Sequence, residues 1–325
     1  MSSTHYDTLQ VLPYADEDVI RAAYHKLAQL RRNNEEDLKK LNIAKDILLD
    51  AVKRKKYDKE ISDYANKVIG NYKIKKLIAE GGFGRTYLGE HVTLKSPVCI
   101  KQAYNVSEED ERILIEEAKA IWDLRHYGIP SIRDIMRLKD GSLVIVMSYI
   151  PGMTLTQVVE SHGRLEPESV ASITDRVLNI LKYLHYHGII HGDIKPQNII
   201  LQHETHGVVL VDYGLSIIRP SSKSESKGYT PHFAAPEQIR SNCPLLPETD
   251  LYGLGMVMIY ALGGDVETKQ VPIHTPDNMC KFLKKLIVHD VLSRPNWEKE
   301  DIQAKFQETR EKDFGRRYSG MKKLF

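Results

Sequence analysis

Between residues 16 and 32 apolar side chains recur every three or four positions, at Val19, Ile20, Ala23, Tyr24, Leu27 and Leu30, the spacing of one face of a helix. Asp16, Glu17 and Asp18 precede the stripe, where a helix N-terminus favours negative charge. A second stripe, Leu38, Leu41, Ala44, Ile47 and Leu48, lies within 35–50, and Arg31-Arg32-Asn33-Asn34 is the polar connection between the two. The pattern predicts an antiparallel helical hairpin. From Tyr72 it changes to short strands over 72–79, 85–91, 98–101, 132–138 and 143–147, interrupted by one helix over about 108–124. Beyond Pro151 it is mainly helical, around 169–187 and 251–262, with strands only near 199–201 and 208–211. The Ser- and Lys-rich stretch 220–228 fits neither period and reads as a mobile loop.

Composition places the boundary. Residues 1–66 are highly charged and lack Gly, Gly70 being the first, whereas the text from Tyr72 is β-branched and punctuated by Gly. A helical domain over 1–66, a linker over 67–71, a larger domain over 72–310 and a basic tail over 311–325 are expected, and 325 residues suit such an unequal pair. Lys and Arg total 46 against 44 Asp and Glu, a net +2, so no overall field recruits nucleic acid or an anionic membrane. Cys99, Cys243 and Cys280 have no metal-ligand spacing, which argues for a reducing cytoplasm. The start of the chain lacks the profile of a secretion signal, and the most apolar stretch, 251–262, is short of the ~20 residues that cross a bilayer.

Three groups of residues carry chemistry. Glu80-Gly81-Gly82-Phe83-Gly84 stands between two strands, where positions without side chains let backbone N–H groups approach a phosphate chain; the plain alternative is a Gly-rich hairpin turn. Val98-Cys99-Ile100-Lys101 ends an apolar strand on a Lys, either snorkelling from an edge strand or buried against an acid on the next helix, with Glu117 and its neighbour Glu116 both at hand. His191-Gly192-Asp193-Ile194-Lys195-Pro196-Gln197-Asn198 is followed by an apolar strand and Val211-Asp212-Tyr213-Gly214. There one carboxylate can orient a hydroxyl, a Lys can neutralise a moving phosphoryl group, and an Asn and a second Asp can hold Mg²⁺ through hard oxygens.

On these residues the chain, over roughly 72–310, resembles the eukaryotic-type protein kinase family. Wording such as Gly-Gly-Phe-Gly-Arg-Thr-Tyr-Leu and Ile-Lys-Gln is similar to its bacterial members. The resemblance implies an α+β fold of two lobes, 72–147 and 152–310, using ATP and Mg²⁺, with Mn²⁺ as the alternative ion. It implies that Gly81, Gly82, Phe83 and Gly84 cover the phosphates beside Ala79, that Lys101 pairs with Glu117, and that Cys99, Met147 and Tyr149 lie about the nucleotide. Asp193 would be the base, Lys195 the γ-phosphate cation, and Asn198 and Asp212 the metal ligands. Thr230 would sit in the loop that receives the substrate hydroxyl. Glu237 of Ala235-Pro236-Glu237 would pair with Arg294, and Asp250 would brace the catalytic loop. Lys195, two residues after Asp193, is the family's mark of Ser and Thr specificity.

Four positions depart from the family pattern. Ala79 replaces the first loop Gly, Thr86 a Val that packs on the adenine, Ser148 a hinge Glu, and Gly192 the Arg that clamps a phosphorylated activation loop. Control by loop phosphorylation is therefore not expected. The interval from Asp250 to Arg294 is short for the family, implying a trimmed helical surface.

Residues 1–66 are similar to the J domain of co-chaperones, through His5-Tyr6-Asp7-Thr8-Leu9, Ala15-Asp16-Glu17-Asp18-Val19-Ile20-Arg21-Ala22-Ala23-Tyr24 and Lys53-Arg54-Lys55-Lys56-Tyr57-Asp58. That family works through a His-Pro-Asp tripeptide between its two long helices, a place taken here by Arg31-Arg32-Asn33-Asn34. The expectation is a Ser/Thr protein kinase with a degenerate J-like docking or regulatory arm whose basic run 53–56 is a solvated helix face. Its partners would be a protein substrate and a docking partner of the arm, with no specific nucleic acid and no membrane. A nucleotide-binding pseudokinase scaffold and a co-chaperone-like adaptor are the rival readings. The first is weakened because Lys101, Asp193 and Asp212 are all present, the second because the tripeptide is missing.

Overall fold

The computed structural model describes residues 4–12, 15–30, 35–64, 67–81, 84–103, 108–240 and 243–318. They fall into two compact units, one of Met1–Glu111 with Arg133–Tyr149, the other of Arg112–Ile132 with Ile150–Phe325.

The first unit begins with four helices, α1 (His5–Thr8), α2 (Glu17–Leu30), α3 (Glu35–Leu48) and α4 (Ala51–Tyr64). The expected hairpin is α2 and α3; α1 and α4 are additions to it. Ile20 and Leu27 of α2 and Leu41, Ala44 and Leu48 of α3 are buried together with Tyr6, Leu9 and Tyr57, and Tyr24, Leu38 and Ile47 pack against them, so these positions of the two stripes form the core. Val19 is exposed and stands outside it. The residues 31–34, on which the missing tripeptide turns, lie outside the described residues.

The motif at each end of this arm is a staple rather than a solvated face. Tyr57 Oη accepts from the His5 N–H at 3.0 Å, and Tyr6 Oη donates to Asp58 Oδ1 at 2.6 Å. Arg54 Nε donates to Tyr6 Oη at 3.0 Å and its Nη2 to the Ala15 carbonyl at 2.7 Å. Burial, then the bond to Asp58, raises the Tyr6 phenol above its ordinary pKa. The expectation of a solvated run over 53–56 is thus corrected at Arg54, whose guanidinium lies over the Tyr6 ring because the ring and two oxygens satisfy it; Lys53, Lys55 and Lys56 are exposed.

After the arm come β1 (Val68–Ile69), β2 (Tyr72–Gly81), β3 (Gly84–His91), β4 (Pro97–Ala103), β5 (Ile132–Arg137) and β6 (Leu143–Ser148). They form one sheet in the order β1-β2-β3-β4-β6-β5. Alternation along the strands sends Ile74, Tyr87, Val98, Ile100, Val144 and Val146 into one apolar cluster. β4 pairs on both sides, with β3 and β6, so Lys101 stands on an interior strand and the reading of an edge lysine is overturned.

The second unit carries most of α5 (Glu108–Ile121), then β7 (Met153–Thr154), α6 (Leu155–His162), α7 (Pro167–Tyr186), β8 (Ile189–Ile190), β9 (Ile199–Leu201), β10 (Val208–Leu210), β11 (Ile217–Ile218), α8 (Pro236–Ile239), α9 (Pro247–Ala261), α10 (Asp277–Leu286) and α11 (Ile302–Phe314). Three short strands, β7, β8 and β11, add to the two expected. α7 starts on Pro167, whose missing N–H costs nothing in a first turn, and the chain turns out of it at Gly188 with φ +68. α9 is buried on all sides from Glu248 through Ile259, which explains why its sequence is a nearly unbroken apolar run. α7 and α9 form the core on which the loops between β8 and α8 are laid. Among the described residues no helix is long and apolar enough to cross a membrane.

Candidate active site

β9 and β10 pair antiparallel with Ile199 opposite Leu210, and the Val211 N–H donates to the Asn198 carbonyl at 2.9 Å. This short hairpin brings together Asn198 at its entrance and Asp212 just beyond its exit. Asp212 has φ +65, a left-handed conformation that costs a non-Gly residue energy and persists where surroundings enforce it. The next residue, Tyr213, is buried, its hydroxyl on the Leu210 carbonyl at 3.2 Å, and burial drives its phenol well above the usual pKa.

Asp193 is the hub of the loop between β8 and β9. Its Oδ1 accepts from Thr230 Oγ1 at 2.7 Å. Its Oδ2 faces Lys195 Nζ at 2.7 Å and accepts from Asn198 Nδ2 at 3.0 Å. Lys195 Nζ also donates to Thr230 Oγ1 at 3.0 Å. Asn198 Nδ2 gives its second hydrogen to the Asp193 carbonyl at 2.9 Å. With both amide hydrogens engaged, the Asn198 amide has one sensible orientation, which leaves Oδ1 as the atom able to act as a cation ligand.

Asp250, near the start of α9 and buried, accepts from the His191 and Gly192 N–H groups, both at 2.8 Å, and from His185 Nε2 at 2.8 Å. The indole N–H of Trp297 donates to His185 Nδ1 at 2.9 Å, so the proton of that imidazole sits on Nε2. His191 is oriented likewise: Nδ1 accepts from the Asp193 N–H at 3.2 Å and Nε2 faces the Val211 carbonyl at 3.2 Å. Complete burial depresses its pKa, against the pull of the Asp250, Asp193 and Asp212 carboxylates. The Gly192 and His191 carbonyls accept from Gln238 Nε2 at 2.7 Å and Ser216 Oγ at 3.1 Å. His185, Trp297, Ser216 and Gln238 escaped sequence reading; the available signal was a His inside the apolar stripe of α7, which by itself reads as a core histidine.

Glu237 and Arg294 meet in a bidentate pair at 2.7 and 2.8 Å. Thr249 Oγ1 adds 2.9 Å to Glu237 Oε1, and Arg294 lies over the Tyr252 ring while donating to the Val288, His289 and Glu248 carbonyls. Every fixed direction of the guanidinium fork is used.

In the first unit Ala79, Cys99, Lys101 and Met147 of the expected nucleotide residues share one sheet face. Ala79 is opposite Thr86, Thr86 opposite Lys101 and Lys101 opposite Ile145. In the next row Leu88 is opposite Cys99 and Cys99 opposite Met147. Directly opposed residues point to the same side, so the rows set Lys101 beside Cys99 on the face away from Val98 and Ile100. Gly81 pairs with Gly84 at the hairpin tip. Gly84 has φ +138, and a Cβ there would stand 2.1 Å from the Gln102 carbonyl oxygen, so no other residue fits. Gly82 and Phe83 lie outside the described residues. Tyr149 is half-buried after β6, and Glu117 is buried on α5.

Among the described residues no three His, Cys, Asp or Glu side chains are grouped to hold a metal. What the hairpin offers is one carboxylate and one amide oxygen. That donor set fits a hard divalent ion completing its shell from phosphates and water, and does not fit a zinc site.

The chain matches the family model described as "Protein kinase domain" over residues 72–308 and the one described as "DnaJ domain" over 4–58. It is 31% identical over 219 residues to serine/threonine-protein kinase pkn3 of Myxococcus xanthus, covering 63% of this chain and 40% of that protein. It is 30% identical over 206 residues to serine/threonine-protein kinase PrkC of Bacillus subtilis, covering 62% and 31%. To serine/threonine-protein kinase D of Synechocystis sp. it is 33% identical over 225 residues, covering 63% and 42%. The match thus spans less than half the length of each of these relatives.

Proposed function

The chain belongs to the protein kinase family, and on that premise we propose that it transfers the γ-phosphoryl group of ATP to a Ser or Thr hydroxyl of a protein. The observation that carries this reading is the Thr230 hydroxyl seated on Asp193 Oδ1 at 2.7 Å: the carboxylate holds an aliphatic hydroxyl in the geometry of a general base. Asp193 orients the acceptor oxygen and takes its proton as the bond to phosphorus forms. Two of the three Lys195 N–H groups are directed at Asp193 and Thr230, and the third serves a phosphoryl oxygen. Asn198 Oδ1 and the Asp212 carboxylate hold the divalent ion that accompanies ATP in protein kinases, Mg²⁺ in this reading with Mn²⁺ as a substitute. That ion supplies charge neutralisation at the phosphates. The face carrying Ala79, Cys99, Lys101 and Met147, with Gly81 through Gly84 and Tyr149, binds the nucleotide. Phosphoryl transfer asks little covalent chemistry of the protein, so the brace from Asp250 to His191 and Gly192 matters through positioning.

Residues 1–66, 67–71 and 72–310 are the working divisions, the first a docking or regulatory arm for a protein substrate or partner. Three free thiols fit a cytoplasmic setting. Incubation of the purified chain with γ-labelled ATP, Mg²⁺ and a generic protein substrate, followed by phosphoamino-acid analysis, tests the reading. Label on phosphoserine or phosphothreonine is expected; label on phosphotyrosine alone, or none on any protein, contradicts it.

A further inference from the structure

The transfer reaction requires the segment carrying Thr230 to remain at Asp193. A cation directly before Asp193 could hold that segment through an added phosphate, but the position is Gly192. It has φ +77, and a Cβ there would come within 2.8 Å of the Leu215 carbonyl oxygen. No side chain fits without a backbone shift, so this route is closed by geometry as well as by composition.

What the stretch after Asp212 has instead is a cation of its own. The loop 220–228, which reads as mobile in the sequence, is tied at several points. Ser221 and Ser224 close a turn, and Ser224 accepts from the Leu245 N–H at 2.9 Å. Ser226 Oγ donates to the Gly228 carbonyl at 2.6 Å. Lys227 Nζ donates to the Ser216 carbonyl at 2.6 Å. Ser216 is doubly anchored, its N–H on the Tyr213 carbonyl at 3.0 Å and its Oγ on the His191 carbonyl at 3.1 Å.

We infer that Lys227 is a positioning residue for phosphoryl transfer, its ammonium fastening the limb that carries Thr230 to Ser216 and through it to the catalytic loop. This rests on the kinase reading above. The contact replaces an added phosphate with a permanent cation: only Gly228 and Tyr229 separate Lys227 from Thr230, and a short charge-assisted bond to a backbone carbonyl fixes the chain more firmly than a neutral one. An idle surface lysine would keep its full hydration. Here partial burial lowers the pKa of the amine, although the Glu116 carboxylate on α5 pulls the other way, so the amine gives up water for the carbonyl it meets.

The test uses the full chain, phosphatase-treated and shown by intact mass to carry no phosphate, as wild type, Lys227→Met and Lys227→Arg. Steady-state kinetics toward a peptide, Mg-ATP affinity and hydrogen exchange over 216–230 are read for each. Lys227→Met should lose about tenfold or more in kcat/KM for the peptide, keep its Mg-ATP Kd within about twofold, and exchange faster over 221–230. Lys227→Arg, still able to reach a carbonyl, should recover most of the loss. Wild-type kcat/KM in Lys227→Met, no recovery in Lys227→Arg, or a wild type that works only once Ser221, Ser222, Ser224 or Ser226 is phosphorylated would each overturn the inference. Should wild type phosphorylate nothing, the kinase reading falls separately, and exchange still decides: faster exchange in Lys227→Met supports the clamp, and equal exchange removes it.

Discussion

Around Asp193, side chains from α7, α8, α9 and the stretch before α11 brace one short loop, directly or through Asp250, whereas in the arm a group of polar side chains from α1 and α4 bond to one another. Asp250, Gln238 and Ser216 bond to the backbone of His191 and Gly192, and His185, itself bonded by Trp297, holds Asp250. In the arm, Tyr6, Arg54, Tyr57 and Asp58 bind one another and the Ala15 carbonyl. One region is held rigid on behalf of an adjacent group, the other for its own fold. The difference teaches that the J-like scaffold carries a staple of its own, which joins α1 and Ala15 to α4.

The comparison is broken most severely at the buried pair. Arg294→Ala leaves the Glu237 carboxylate uncompensated in a buried site, and a loss of about 3–5 kcal/mol is expected. Urea unfolding of the full chain checks this; a loss under about 1 kcal/mol would mean that water reaches Glu237. Next is His185→Phe, which takes one donor from Asp250 and strands the Trp297 indole. Transfer should fall by about tenfold with Mg-ATP affinity little changed, since one hydrogen bond to a charged group is removed. An unaltered rate would confine Asp250 to a packing role.

Tyr6→Phe should lower the stability of the arm by about 1–2 kcal/mol, because Asp58 and Arg54 each lose a partner, while transfer to a generic peptide stays within about twofold. Deleting 1–66 should behave likewise toward the peptide yet impair phosphorylation of the protein partner. A catalytic loss toward the generic peptide in either variant would show that the arm serves the reaction itself. The smallest effect is with pH. The folded pKa of His191 lies below its unfolded value of about 6.5. Its contribution to stability is therefore whole above that value and is lost as pH falls through the folded pKa, the unfolded chain binding the extra proton. The urea midpoint should drop between pH 7.5 and 5.5, and His191→Asn should flatten the slope; an unchanged slope would assign it to another group.

These residues also show what can be read in advance. Asp193, Lys195, Asn198 and Asp212 are legible as candidates because they stand in two short segments, 191–198 and 211–214, either side of the β9–β10 hairpin, an order that has few other meanings. The sheet face holding Lys101 follows from strand alternation, which has a fixed period of two. Trp297 and His185 are not legible, because 112 positions separate two residues that meet only through packing. α1 and α4 are missed for a different reason: α1 has four residues, too few for a period, and α4 is so rich in Lys and Asp that no apolar stripe marks it in the sequence, although Tyr57 is buried. Lys227 hides in a Ser-rich stretch whose composition says loop and cannot say what the loop is tied to.

The most direct measurement compares wild type with Asp193→Ala in the same preparation, recording Mg-ATP binding by calorimetry and phosphate transfer to protein with labelled ATP. With the proposed base removed and the proposed metal ligands Asn198 and Asp212 left in place, the Kd for Mg-ATP should stay within a few-fold while transfer falls by about 10²–10⁴. Equal transfer by the two proteins would contradict the account, because among the described residues it is Asp193 whose carboxylate holds the Thr230 hydroxyl.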